Sequence, residues 1–126
     1  MSIPVELHAL ADAIAEHSFA YLLTVSDDAR PHAVAVVPTL HDGALVVASA
    51  GRRTSANAVA RSNVSLVYVP AEPGDYSLII DAEATAEGDD LRLSPTKAVL
   101  HRPAPSGTEP AAGSCGSDCL PVSLEG

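Results

Sequence analysis

Arg52-Arg53-Thr54-Ser55 is the stretch of this chain whose residue types and spacing point to chemistry. With Arg61 it places three of the chain's seven basic residues within ten positions, in a sequence that carries sixteen Asp and Glu. Thr54 and Ser55 are good N-cap residues, and the Ala-rich "SANAVARS" that follows predicts a short helix starting there. The two arginines then stand at its positive end, where a cation costs about 0.3–1 kcal/mol unless an anion compensates. Gly51 lets the backbone turn tightly into this link, and the two hydroxyls add donors, so the pattern suits a phosphate. The competing reading is that Arg52 and Arg53 extend into solvent and pair with some of the acids. Arg61 suits the negative end of the predicted helix and needs no ligand.

Other reactive groupings are sparse. The sequence contains no Ser-His-Asp arrangement, P-loop or dinucleotide G-x-G-x-x-G, so nucleophilic hydrolases and nucleotide phosphatases are unsupported. Cys115 and Cys119 form a C-x3-C pair without a second pair; with His101 they suit a metal or haem only weakly, and a small loop disulfide or two free thiols is the better reading. The formal charge of −9 works against binding nucleic acid or an anionic membrane. No segment approaches the ~18 apolar residues of a membrane span. "MSIPVELHALADAIAEH" lacks the basic flank and apolar run of a signal peptide, and the expected compartment is the cytoplasm.

The elements that must position these residues follow from the apolar pattern. At 126 residues the chain makes one domain able to bury roughly two thirds of its unfolded surface. Aromatics make up 3%, so the core must be built from Val, Leu, Ile and Ala, a composition that favours strands. Leu7, Leu10, Ala11 and Ile14 recur at helical spacing, with Pro4 in the first turn, and predict an opening amphipathic helix. "FAYLLTVS", "HAVAVVPTL" and "ALVVASA" then read as three strands in a meander, the last two joined by the hairpin signal Asp42-Gly43. After the basic link come "VSLVYVP", the long alternating "DYSLIIDAEATAE" and "LRLSPTKAVLHRP". Six short strands with flanking helices predict a mainly β, antiparallel barrel, since closure removes exposed edges. Residues 1–102 form the domain; 103–126, rich in Pro, Gly, Ser and Ala, reads as a C-terminal tail.

The run from "FAYLLTVSDDARPHAVAVVPTL" through "GALVVASAGRRTSANAVARSNVSLVYV" resembles the pyridoxamine 5'-phosphate oxidase-like, FMN-binding split-barrel superfamily, which includes flavin- and deazaflavin-dependent reductases. The resemblance covers about residues 5–102. It is carried by the opening helix, the D-x-x-x-R-P-H turn from Asp27 to His32, a third strand ending in small residues, and a basic, hydroxyl-rich link into a helix followed by "NVSL". It implies a six-stranded antiparallel split barrel, a homodimer with the cofactor at the subunit interface, and an oxidoreductase acting on a small-molecule substrate through a bound ring. Arg52, Arg53, Thr54 and Ser55 would grip the phosphate, with Asn57 assisting, and main chain around Val34–Val37 and Val46–Ser49 would flank the ring.

One departure stands in the link itself. Where the FMN-binding oxidases carry Ser-Arg-Lys, this chain has Thr54, Ser55 and Ala56. Arg52 and Arg53 supply charge from a shifted position, and the alternative is a non-catalytic split barrel that binds a deazaflavin or haem. The C-terminal Arg and His pattern of vitamin B6 oxidation is not recognisable. His32 shares a face with Val34 and Val36, which makes it a core or turn histidine or a group near the cofactor ring. His101, Arg102 and Lys97 are surface residues, or reach a cofactor across the dimer interface.

Overall fold

The computed structural model describes residues 2–103. Cys115, Cys119 and nearly all of the expected tail lie outside them. The element order is β1 (Ser2–Pro4), a 3-10 turn (Leu7–Ala9), α1 (Leu10–Ala15), β2 (Ala20–Val25), β3 (Pro31–Val36), β4 (Thr39–His41), β5 (Ala44–Val47), α2 (Arg52–Ala60), β6 (Asn63–Tyr68), β7 (Ser77–Glu87) and β8 (Asp90–His101). The fold is mainly antiparallel sheet with two short helices. Every strand pair is antiparallel, in the order β3-β2-β6-β7-β8-β5-β4, with β1 on β8.

The period-two pattern sets the core. Across the register, Val34 opposes Leu22, Leu22 opposes Leu66, Leu66 opposes Ile80 and Ile80 opposes Ala98, one inward row over five strands. The next row runs Val36, Ala20, Tyr68, Leu78 and Leu100. Leu22, Leu66, Leu78 and Ile80 are fully enclosed, each burial contributing about 1.5–3 kcal/mol. Leu10 of α1 is buried in the same cluster, with Ala13 and Ile14 packed against it.

All six expected strands are present, with three changes around them. Residues Ser2–Pro4 pair with β8, so Pro4 belongs to a strand and the helix proper begins only at Leu10. "HAVAVVPTL" breaks at Val37-Pro38 into β3 and β4, because proline has no N–H to continue a ladder. The expected three-strand meander does not form: β3 pairs with β2, whereas β4 and β5 sit at the other end of the sheet path. The β4–β5 hairpin does close through Asp42 and Gly43, both at positive φ (50° and 76°), the geometry of a two-residue turn matched to strand twist.

β8 is the strand that organises the sheet. It pairs with β7 along its length, with β5 through Leu91–Leu93 and with β1 through Val99–His101. A bulge at Asp81/Ala82 accommodates Pro95 within this long ladder.

Candidate functional site

β3, one end of the sheet path, and the segment from the end of β5 to Ala50 line a common slot. Its walls are Val34, Ala35, Val36 and Val37 on one side and Val47, Ala48, Ser49 and Ala50 on the other, enclosing about 350 Å³. They overlap the two main-chain segments, Val34–Val37 and Val46–Ser49, that the family resemblance implies beside a cofactor ring. β3 pairs only with β2, so its outer backbone groups remain unladdered toward the slot.

At Ser49 the slot meets a second recess of about 430 Å³, lined by Ser49, Gly51, Arg52, Ser55, Gly88 and Asp89. The link that builds it is held from the β7–β8 hairpin. Ser49 N–H donates to Asp90 Oδ1 at 3.0 Å and Ala50 N–H to the Asp89 carbonyl at 3.1 Å. α2 starts at Arg52 with Gly51 as N-cap, not at Thr54 or Ser55 as expected, and no side chain caps it. Gly51 sits at φ 92°, ψ 156°, a region that only glycine enters at low cost, and that conformation replaces the side-chain cap. The first amide N–H groups of the helix are therefore available as donors. Arg52 is exposed and makes no ion pair among the described residues, despite the chain's excess of acids.

Starting the helix two residues earlier also divides the expected phosphate grip. At 100° per residue Arg52 and Ser55 share one face and Arg53 and Asn57 another. Arg53, Asn57 and His32 line a third recess of about 440 Å³, together with Ser26, Asp27, Asp28, Arg30 and Pro31 from the β2–β3 turn. Thr54 is buried at 3% exposure and lines neither recess. Asn57 is buried too, its Nδ2 donating to Thr24 Oγ1 at 3.1 Å. Thr24 opposes His32 in the β2–β3 register, so these three polar residues cap one end of the inward rows.

The charges around this third recess are largely committed. Arg61 donates through Nε to the Val25 carbonyl at 2.9 Å and pairs with Asp27. Asp28 accepts from Ser26 Oγ and faces Arg30 Nε at 3.9 Å. The Ser26 hydrogen bond is the main reason the Asp28 carboxyl lies below its ordinary value; desolvation opposes it, and backbone N–H groups and the Arg53 charge add to it.

The other sequence candidates sit elsewhere in the chain. His101 Nδ1 contacts Ser2 Oγ at 3.3 Å, and the Arg102 guanidinium lies 4.7 Å from the Tyr76 ring centroid. Lys97 opposes Asp81 on the β7–β8 ladder. A larger cavity of about 580 Å³ beside His17 and Tyr76 is lined by Asp12, Glu16 and Asp75, a charge unsuited to an anionic cofactor. No group of metal-ligating side chains occurs, and no helix is long and apolar enough to cross a membrane, among the described residues. Sequence reasoning missed Asp89 and Asp90, because their role depends on a contact some forty residues distant.

No protein-family model matches the chain. Two uncharacterized proteins, of Mycobacterium bovis and Mycobacterium tuberculosis, are each 39% identical over 136 residues, covering 95% of this chain and 96% of theirs. Among solved structures, a candidate pyridoxamine 5'-phosphate oxidase from Listeria innocua superposes with TM-score 0.62 at 17% identity, covering 75% of this chain and 96% of the other. The FAD binding protein from Mycobacterium smegmatis gives TM-score 0.60 at 15% identity, covering 81% and 100%. An F420 reductase gives 0.59 at 14% identity, covering 69% and 94%.

Proposed function

Since the chain belongs to the family of these two mycobacterial proteins and has the fold of the pyridoxamine 5'-phosphate oxidase-like split barrels, we propose that it is an FMN- or deazaflavin-dependent oxidoreductase acting on a small molecule. The observation that carries this reading is the continuity at Ser49 of a narrow, main-chain-walled slot with a recess carrying an unpaired arginine and an uncapped helix start. A flat ring suits the slot and a phosphate suits the recess, joined by a linker passing Ser49. Arg52, Ser55 and the first amides of α2 would hold the phosphate; β3 and residues 47–50 would hold the ring. When bound, a flavin supplies hydride or electron transfer. The chain's own part is to orient the ring, exclude water from its edge and neutralise the phosphate.

The working unit in this reading is a homodimer. The outward face supports it: Tyr21, Val67, Ile79 and Val99 stand side by side across four strands, and Tyr21 is 41% exposed. A second copy that covers this apolar row would also close the neighbourhood of the slot.

Titration of the purified protein with FMN, a deazaflavin and haem, followed by absorbance, tests the proposal. Uptake of FMN or deazaflavin, weakened roughly tenfold or more by Arg52→Ala, is the expected result. A protein that takes up neither overturns it. Uptake of haem alone supports instead the second reading, a non-catalytic binder, which Ser55 and Ala56 favour by standing where the FMN-binding oxidases carry Arg and Lys.

A further inference from the structure

A separate recess lies on the other face of α2. Of its charged residues, Asp27 is taken by Arg61 and Asp28 by Arg30 and Ser26. Arg53 lines the same recess and has no carboxylate within ion-pair distance among the described residues. Arg61, from outside the lining, takes up Asp27 and Arg30 faces Asp28, so Arg53 is the lining cation left without a partner. His32 also lines it, and its Nδ1 is closed off from solvent with no hydrogen-bond partner. A buried polar atom without a partner costs free energy that a ligand can recover.

We propose that the recess between the β2–β3 turn and α2, bounded by Arg53, His32 and Asn57, is a binding site for a small monocarboxylic acid. The single unpartnered cation, Arg53, matches a monoanion, whereas Asp28 repels the second charge of a phosphate. Arg53 presents a planar fork of N–H donors that fits two carboxylate oxygens. The His32 ring turns about a broad, two-fold χ2, and either of its nitrogens can meet an acid entering beside it. The Asn57–Thr24 hydrogen bond fixes the helix face that forms the wall. His32 lies two residues before the slot segment on β3, so a bound acid stands next to the proposed ring. That the acid is the substrate rests on the flavin reading; that the recess binds a carboxylate does not.

The test uses the full-length, flavin-free protein and sodium benzoate, with benzamide and inorganic phosphate as controls, followed by amide chemical shifts. Saturable benzoate shifts centred on residues 26–32 and 53–57, no saturation with benzamide, and a loss of affinity of about tenfold or more in both Arg53→Ala and Arg53→Gln are expected. Arg52→Ala leaves benzoate binding unchanged. Non-saturating shifts, shifts centred elsewhere, equal binding of benzamide, phosphate saturating the same residues as tightly as benzoate, or affinity unaltered by both Arg53 variants would each overturn the site. None of these outcomes depends on flavin uptake, so the two proposals fail separately.

Discussion

Asn57 Nδ2 donates a 3.1 Å hydrogen bond to Thr24 Oγ1, joining α2 to β2 between two residues that are 6% and 1% exposed. This bond seats the helix on the end of the barrel and so fixes which of its faces meets which recess.

Thr24→Val is expected to destabilise the fold by about 1–3 kcal/mol, because it leaves a buried amide donor unpaired. Asn57→Leu removes that donor as well, so the double variant loses less than the sum of the singles, by roughly 0.5–3 kcal/mol. Denaturant unfolding of the four proteins measures this; strict additivity would show that the contact carries no coupling.

Gly51→Ala is expected to cost about 1–3 kcal/mol through backbone conformation, since φ is +92° and nothing lies within 4 Å of the added Cβ. The same strain shifts the link out of position, so FMN affinity falls together with the unfolding midpoint. An unchanged midpoint in thermal or denaturant unfolding would show that the link adopts another conformation freely.

Tyr68 is 2% exposed, its hydroxyl has no partner, and burial pushes its pKa up from 10.0 to about 12. The folded state therefore favours the neutral phenol. Its contribution is complete below pH 10 and is lost as pH rises through about 12. Tyr68→Phe removes both the unpaired hydroxyl and this titration. It is expected to raise stability by about 1 kcal/mol near neutral pH and to flatten the alkaline loss between pH 10 and 12. Unfolding curves collected on both sides of pH 10 check both effects, and a steeper alkaline loss in the variant would refute the assignment.

Local alternation made six strands, the Asp42-Gly43 hairpin and the position of α2 legible in the sequence, because a period of two and a turn-specific glycine leave few other solutions. The crossing at Val37-Pro38 was not legible, since strand pairing is decided by partners far along the chain. Pro4 is compatible with a helix's first turn and with an edge strand; only its pairing opposite Val99 decides. The candidate site was read as one four-residue grip. It divides because Gly51 starts the helix through its own backbone conformation, and a start two residues earlier turns Arg52 and Arg53 toward different recesses. Asp90 carries no local signal at all, although its carboxylate holds Ser49 in place.

β1 pairs with β8 through Ser2 and His101, positions 99 residues apart. During synthesis the β2–β3 and β4–β5 hairpins can form as soon as they leave the ribosome, but β1 has nothing to join until the last strand has emerged. β5 waits for the same strand through Leu91 and Leu93. Completion of this fold is therefore a late, all-at-once event with a high-contact-order, slow final step, and a chain halted before residue 90 exposes the edges of β1, β5 and β7 to whatever neighbours it meets.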